Sequence, residues 1–259
     1  MAKKINSLEV SVRDIVQKKQ VLTLFQPIVS VQDSCVYGFE ALARGPEHSP
    51  CYGAVDLFSS AADQGYLEAM NELTSQLAIE RFKKQSVDSK LFINFSPQSI
   101  TQSPSGLLGL IRCMEDQRLP PDRVVIEITE HYPVKNYQQL RATIDECREL
   151  GVKIAIDDLG AGYSGLRLWS EIAPDYVKLD QHFVQELRQD PHKRVFIDMI
   201  QGLAAKLDCR IIAEGIESES DLDIVVEMGV PLVQGFYLGR PIKNPNKFRF
   251  NGDIKKAVI

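Results

Sequence analysis

Residues 21–30 read VLTLFQPIVS and residues 35–42 read CVYGFEAL, two apolar runs of strand length that only residues 31–34 separate. A connection that short permits a hairpin, whereas a parallel crossover needs a dozen residues or more. The two strands are therefore predicted to be antiparallel. The second strand carries Glu40 near its end, and Arg44 follows it. A single acidic residue at such a position most often marks a turn or a helix cap.

The rest of the chain alternates strand patterns with helix patterns. Gly65 divides a helical stretch over 54–85 in two, and every later strand except the last precedes a helical stretch. This rhythm predicts an α/β fold, a modified TIM-type (β/α)8 barrel with an antiparallel first strand, and a doubly wound open sheet is the alternative. The further strands are predicted at 91–96, 124–130, 152–158, 176–180, 209–215 and 232–238, and the further helices at 105–117, 136–150, 164–172, 181–188, 192–207 and 218–228.

The pattern divides the chain into three segments. Residues 1–19 form an N-terminal helical segment, residues 20–245 the barrel, and residues 246–259 a polar, basic C-terminal tail. The length of 259 residues, with 44% hydrophobic and 25% charged residues, fits one barrel of ordinary globular composition.

Composition also limits the compartment and the partners. The longest apolar runs have strand length and the start of the chain has no apolar signal segment, so we expect a cytoplasmic protein without a membrane segment. Five scattered cysteines and four dispersed histidines indicate reduced thiols and no zinc cluster. The net charge of −5 argues against DNA or RNA polymers as partners, although bound cations would permit a small phosphate ligand.

Seven successive strands carry a polar side chain at or near the C-terminal end, where the catalytic residues of such barrels lie. Asp158 or Asp180 alone could be read as a helix cap, but caps do not explain the whole set. Converging carboxylates repel one another unless a cation neutralises them. The residues are Glu40, Asn94, Glu127 with Glu130, Asp157 with Asp158, Lys178 with Asp180, Glu214 with Glu217, and Gln234.

The donors in this set indicate the kind of cation. Oxygen ligands suit Mg²⁺ or Mn²⁺ rather than zinc. Adjacent strand residues point to opposite faces, so Asp157 and Asp158 can both face the site only if the strand is already turning, as Gly160 and Gly162 would allow. Asp157 would then bridge two metals and Asp158 would hold the second. Two metals about 3.5–4 Å apart serve in-line attack on phosphate esters.

Several residues near the rim keep more than one interpretation. Lys178 is a structural ion pair, a Schiff-base lysine, or a cationic partner for the attacking water or a phosphate oxygen. Surrounding anions would raise its pKa, which disfavours the Schiff base. Arg44 is either a bidentate phosphate clamp or an ordinary exposed arginine. Residues 159–165 (LGAGYSG) are either a mobile loop beside the metals or a connection that needs positive φ.

These residues lie in motifs that make the chain similar to EAL domains, the cyclic di-GMP phosphodiesterase module of bacterial signalling. The resemblance covers roughly residues 20–242, and the specificity lies in the order of the motifs. They are Gln26-Pro27-Ile28, Glu40-Ala41-Leu42-Ala43-Arg44, Asn94-Phe95-Ser96, Glu127-Ile128-Thr129-Glu130, Asp157-Asp158-Leu159-Gly160, Lys178-Leu179-Asp180, Ala213-Glu214-Gly215-Ile216-Glu217 and Gln234-Gly235-Phe236.

The resemblance implies a fold, an activity and partners. The fold is a modified barrel whose first strand runs antiparallel. The activity is hydrolysis of cyclic di-GMP to linear 5'-pGpG with Mg²⁺ or Mn²⁺, two per active site. A homodimer is implied, with the glycine-rich loop at its interface, and sensory or regulatory domains outside this chain are compatible with it. A catalytically silent cyclic di-GMP receptor is the alternative, although such members usually lack some of the acidic positions, which are all present here.

The resemblance also implies residue roles by motif position. The first metal would be ligated by Glu40, Asn94, Glu127 and Asp157, and the second by Asp157 and Asp158. Lys178 and Glu214 would act on or orient the nucleophilic water, supported by Gln234. Glu130 would anchor the glycine-rich loop, through Ser164 or neighbouring backbone. Substrate contacts would come from Gln26, Leu42, Arg44, Asp180, Glu217 and Pro241.

Overall fold

The structure, a computed structural model, describes residues 11–98, 104–130, 133–162 and 165–249, without the side chains of residues 104–108. Within these residues, eight strands close into a barrel in sequence order. The strands are β1 (Leu22–Ser30), β2 (Cys35–Arg44), β3 (Lys90–Phe95), β4 (Val124–Thr129), β5 (Lys153–Leu159), β6 (Tyr176–Leu179), β7 (Arg210–Ala213) and β8 (Leu232–Gln234).

The predicted antiparallel hairpin is confirmed. β1 pairs antiparallel with both β2 and β8, and every other neighbouring pair is parallel. The turn between β1 and β2 is closed by Ser30, whose Oγ donates to Asp33 Oδ2 at 2.7 Å and accepts from the backbone N–H of Asp33 at 3.2 Å. Because β8 returns to β1, the open-sheet alternative is wrong.

The helices lie where the periodicity predicted them, with small differences at their ends. Ser11 caps the first helix with a side-chain hydrogen bond, and residues 1–10 of the predicted N-terminal segment lie outside the described residues. The helices of the described residues are α1 (Val12–Gln17), α2 (Ala54–Asp63), α3 (Leu67–Lys84), α4 (Pro104–Gln117), α5 (Tyr137–Glu149), α6 (Gly165–Ile172), α7 (Gln181–Val184), α8 (Pro191–Lys206) and α9 (Glu219–Glu227).

Two elements end four residues earlier than predicted. α7 ends at Val184 because Gln185 is extended and Glu186 has a φ of +59°. β8 ends at Gln234 because the chain then turns, with the backbone N–H of Leu238 donating to the carbonyl of Gly235. None of the helices in the described segments combines the length and the apolar character that a membrane span needs.

The barrel interior contains a layer of apolar side chains on which the candidate site rests. Gly38 belongs to this layer, and its missing side chain makes room for the ring of Phe92. Because strand side chains alternate with a period of two, the next interior layer lies two residues closer to the C-terminal rim. The apolar layer consists of Ile28, Phe92, Val125, Ala155, Tyr176, Ile212 and Leu232. The layer above it consists of Gln26, Glu40, Asn94, Glu127, Asp157, Lys178, Glu214 and Gln234.

Replacing Phe92 by alanine should therefore destabilise the whole barrel. The ring is fully buried and packs edge-on against Tyr176, with 5.5 Å between the ring centroids. We expect Phe92→Ala to lower the free energy of unfolding by about 3–5 kcal/mol, the usual cost of truncating a buried aromatic residue. Urea denaturation measures this change. Met199→Ala, at a 68% exposed position of α8, is the control and should change stability little; equal effects of both variants would contradict the layer assignment.

A candidate metal centre at the barrel rim

A buried lysine lies at the centre of the upper layer. Lys178 on β6 is 1% exposed, and its ammonium contacts four carboxylates that come from β2, β4, β5 and the end of β7. Its Nζ lies 2.8 Å from Asp157 Oδ1, 2.9 Å from Glu214 Oε1, 3.0 Å from Glu127 Oε1 and 3.2 Å from Glu40 Oε2. One side chain thereby links four strand ends.

The surrounding anions keep this lysine protonated. Burial by itself would lower the pKa of Lys178, but the neighbouring carboxylates, Asp157 and Glu127 foremost, outweigh it and raise the pKa well above the ordinary value. A protonated amine is not a nucleophile. The geometry therefore disfavours Schiff-base chemistry at Lys178 and leaves it a fixed positive charge.

Negative charge exceeds positive charge in this cluster. Glu127 is fully buried, and burial together with repulsion from Glu40 and Asp157 raises its pKa well above the usual range, although Lys178 acts in the opposite direction. Burial raises the pKa of Glu214 in the same way, and Asp157 adds to the effect. Four carboxylates share one ammonium, so the charge balance of the layer calls for further cations or protons.

Glu40 is held in its charged form. Asn94 Nδ2 donates to its Oε1 at 2.8 Å, and Gln234 Nε2 donates to its Oε2 at 2.7 Å. Burial would raise the pKa of Glu40, but Lys178 and these two hydrogen bonds outweigh it and lower the pKa. With its amide nitrogen bonded to Glu40, Asn94 has its carbonyl oxygen to offer a cation.

The donor set fits a divalent cation. Oε2 of Glu127 has no hydrogen-bond partner within the described residues, and Oε1 of Glu127 and Oδ1 of Asp157 are each satisfied there by the ion pair with Lys178 alone. Carboxylate oxygens of Asp157, Asp158 and Glu214 lie within 4.8 Å of one another. Donors that are all oxygen suit Mg²⁺, Mn²⁺ or Ca²⁺.

Asp158 reaches the site because β5 turns at that residue. The pairing of β5 with β6 is irregular between Ile156 and Leu159, and Asp158 has a φ of +56°. Aspartate tolerates this left-handed conformation better than most residues. From the sequence, the turn was expected because Gly160 and Gly162 would allow it. In the structure the turn begins earlier, at the acidic residue itself.

Glu130 anchors the beginning of the glycine-rich loop. Its Oε1 accepts hydrogen bonds from the backbone N–H groups of Gly160 at 2.7 Å and Gly162 at 2.6 Å. These contacts are to backbone, one of the two possibilities that the sequence left open. Ser164, the other, lies outside the described residues.

An open cleft of about 370 Å³ lies over the cluster. Three of the predicted substrate residues, Gln26, Asp180 and Glu217, line it together with Glu40, Asp158, Glu214 and Gln234. Asp180 also caps α7, accepting from the backbone N–H of His182 at 2.8 Å, so both interpretations of this residue have a structural basis.

The other three predicted substrate residues do not line this cleft in the described part of the chain; they are Leu42, Arg44 and Pro241. Arg44 instead donates from Nη1 to the carbonyl of Ala43 at 2.7 Å. Leu42 lines a neighbouring cavity of about 130 Å³ that also contacts Asn94. Pro241 lies beside Ile242, which forms an isolated antiparallel bridge with Phe25 of β1.

The cleft also contains residues to which the sequence analysis gave no role. Gln181 and Phe236 line it, and Phe236 is 47% exposed with the guanidinium of Arg240 4.4 Å from its ring centroid. Phe236 belongs to a motif that the sequence showed, but nothing in its spacing indicated that the ring faces the cleft. Gln181 follows a recognisable strand end, and only the short α7 turns it toward the site.

The fold and the site together define a (β/α)8 barrel protein with an oxygen-donor acidic cluster at the C-terminal rim. The chain belongs to the EAL domain family, whose profile matches residues 9–241.

Similar proteins agree with this assignment. The chain is 28% identical over 242 residues to the probable cyclic di-GMP phosphodiesterase PdeG of Escherichia coli, covering 89% of this chain and 46% of that protein. It resembles the manganese and cy-diGMP complex of Klebsiella pneumoniae BlrP1 at pH 6 (29% identity, TM-score 0.80, 87% of this chain and 56% of that one). It also resembles a standalone EAL protein of Vibrio cholerae bound to c-di-GMP (26% identity, TM-score 0.77, 85% of this chain and 92% of that one). The chain spans 34% and 46% of the length of two curated relatives.

The charge excess predicts the behaviour of Glu127→Gln. This change removes one buried carboxylate and keeps its shape, so we expect the metal-free protein to become more stable by about 1 kcal/mol or more. Mn²⁺ should raise the melting temperature of the variant less than that of the wild type, since one ligand is weakened. Scanning calorimetry in EDTA and in MnCl₂ measures both effects. Glu149→Gln, at an exposed position at the end of α5, should change neither. If Glu127→Gln behaved like this control in both measurements, the placement of Glu127 in the charged cluster would be contradicted.

Proposed function

We propose that this chain is a metal-dependent phosphodiesterase that hydrolyses cyclic di-GMP to linear 5'-pGpG. The observation that carries the proposal is the convergence of the predicted oxygen donors at the C-terminal rim of the barrel, with Glu40 and Asp158 in the wall of the cleft. Further support comes from relatives and solved structures of the same family that are named for cyclic di-GMP, one of them a manganese complex.

The residues of the cluster would hold two divalent cations, Mg²⁺ or Mn²⁺. Asp157 would contact both, and Asp158 would bind only the second, because the turn of β5 brings the two neighbouring carboxylates to the same side. Such cations, when bound, supply Lewis acidity at a phosphate oxygen and lower the pKa of a coordinated water. The first cation would be held by Glu40, Asn94, Glu127 and Asp157.

Two residues of the layer would act on the reacting groups directly. Lys178 would donate a hydrogen bond to the attacking water or to a phosphate oxygen in place of one of its four carboxylate contacts, because an ammonium has only three N–H bonds. Glu214, 2.9 Å from that ammonium and in the wall of the cleft, would accept a hydrogen bond from the same water. Gln234 would keep Glu40 in its orientation through the hydrogen bond that it donates.

Binding of the dinucleotide would involve both the cleft and its margin. Gln26, Asp180 and Glu217 present polar groups inside the cleft. Leu42, Arg44 and Pro241 would contact the substrate from the margin. Arg44 would have to exchange the Ala43 carbonyl for a phosphate oxygen, an exchange that favours the bidentate contact with the anion.

We further propose a homodimer in the cytoplasm, with sensory or regulatory domains attached to the same chain or assembly. The five cysteines are all free thiols, and four of them are buried, which is compatible with a reducing compartment. The relatives are longer than this chain, which is compatible with attached domains.

Incubation of the pure protein with cyclic di-GMP tests the proposal. With Mg²⁺ or Mn²⁺ we expect 5'-pGpG, and with EDTA we expect none; chromatography of the nucleotides distinguishes the two. Glu40→Ala should lower turnover by more than about 100-fold, beyond the usual effect of losing a group that only supports a metal ligand.

The control for this variant is Glu149→Ala, which removes an exposed carboxylate far along α5 and should keep full activity. Circular dichroism shows whether Glu40→Ala retains its fold. Absence of product with either metal would contradict the proposal, and tight cyclic di-GMP binding without turnover would establish the silent receptor instead. Retained activity of a folded Glu40→Ala variant would refute the ligand assignment.

A further inference from the structure

The short helix α7 lies between the two strand ends that carry the clustered acids Asp157, Asp158 and Glu214. It follows β6, which pairs with β5 on one side and with β7 on the other. The loops after β5 and β7 therefore flank it. Each of these loops has a glycine with positive φ close to its acidic residue. Gly160, with a φ of +103°, lies two residues after Asp158, and Gly215, with a φ of +70°, directly follows Glu214.

The first contact joins α7 to the loop that follows Asp158. The ring of Phe183 occupies the place that a Cβ atom on Gly160 would need. The backbone N–H of the same glycine donates to Glu130 on the other side. The peptide two residues after Asp158 is therefore held between an aromatic ring and a carboxylate.

The second contact joins α7 to the loop that follows Glu214. A Cβ on Gly215 would lie 3.0 Å from the Cα of Gln181 and would overlap with the Cβ of that residue. The backbone after Glu214 therefore rests directly on the first turn of α7. The helix thus contacts both the loop of Asp158 and the loop of Glu214.

α7 is itself supported from below and from outside. Val184 is fully buried in the core, and Asp180 caps the first turn. Phe183 stacks on Phe196 of α8, with 4.5 Å between ring centroids and 5° between ring planes. A second aromatic ring thus backs the ring that presses on Gly160, and this support makes the contact stiff.

We propose that Phe183 is a positioning residue, which sets the place of Asp158 relative to Glu214 through Gly160 and so determines the affinity of the acidic cluster for its second cation. The catalytic consequence rests on the proposed function. The positioning itself is a property of the metal-free chain. Through the stacking of Phe183 on Phe196, this positioning would also connect α8 at the surface to the site.

Hydrogen exchange of the metal-free protein tests the positioning directly. Phe183→Leu keeps an apolar side chain but loses the ring that reaches Gly160. We expect faster amide exchange in residues 157–162, where Glu130 now protects two amides, with β1 to β4 unchanged. Isothermal titration should show Mn²⁺ affinity reduced by about 10-fold or more, as for other groups that orient ligands. In the active enzyme, kcat should fall while KM for cyclic di-GMP is retained.

Two further variants define the result. Phe196→Leu removes the backing ring and should have the same effects to a smaller extent, which keeps the test open if Phe183→Leu does not fold. Met199→Ala, on the exposed face of the same helix, should behave like the wild type. Wild-type exchange in residues 157–162 of Phe183→Leu, or an increase spread evenly over the chain, would overturn the proposal. If the wild type neither binds Mn²⁺ nor hydrolyses the nucleotide, the proposed function fails, while the exchange data still decide the positioning.

Discussion

A single buried ammonium group holds the site together. Lys178 pairs with carboxylates from four strand ends, of which Glu40, Glu127 and Asp157 are buried in the barrel and Glu214 lies in the wall of the cleft. A buried charge without partners costs several kcal/mol, and the lysine reduces this cost for each acid without removing it. Because one cation faces several anions, the folded chain keeps an excess of negative charge. This excess of negative charge destabilises the metal-free protein and gives it affinity for a divalent cation. Stability and metal binding are therefore coupled through the same residues.

The alternation of strand side chains explains why much of this arrangement could be predicted from the sequence. Polar residues such as Asn94, Glu127 and Lys178 each follow an apolar interior residue by two positions, and parallel strands bring their C-terminal ends to one rim. The antiparallel hairpin was equally predictable, because four residues cannot form a crossover. Local pattern was sufficient wherever position in a strand alone determines where a side chain points.

The parts that could not be predicted depend on contacts between distant segments. Periodicity places Asp158 outside the barrel, and only its positive φ turns the carboxylate inward. The resemblance assigned roles to Leu42, Arg44 and Pro241 but could not locate them. Leu42 and Arg44 lie at the end of β2, where the parity that they share with Glu40 does not bring them into the lining of the cleft. α7 was predicted longer than it is, since its end is set by the extended Gln185 rather than by any breaker residue.

The glycines near the acids show how such distant contacts act. The several glycines in residues 159–165 had two interpretations, a mobile loop or a connection that needs positive φ. In the part of the loop that the structure describes, the second interpretation has a structural basis, because Gly160 has a φ of +103°, donates its N–H to Glu130 and is covered by Phe183. Gly215 is covered by Gln181 in the same way. Glycine is required at both positions because α7 approaches the backbone too closely for a side chain, and this close approach restricts the loops that carry Asp158 and Glu214. The absence of a side chain is here a condition for rigidity, and a rigid backbone keeps the carboxylates of different strands at a fixed separation.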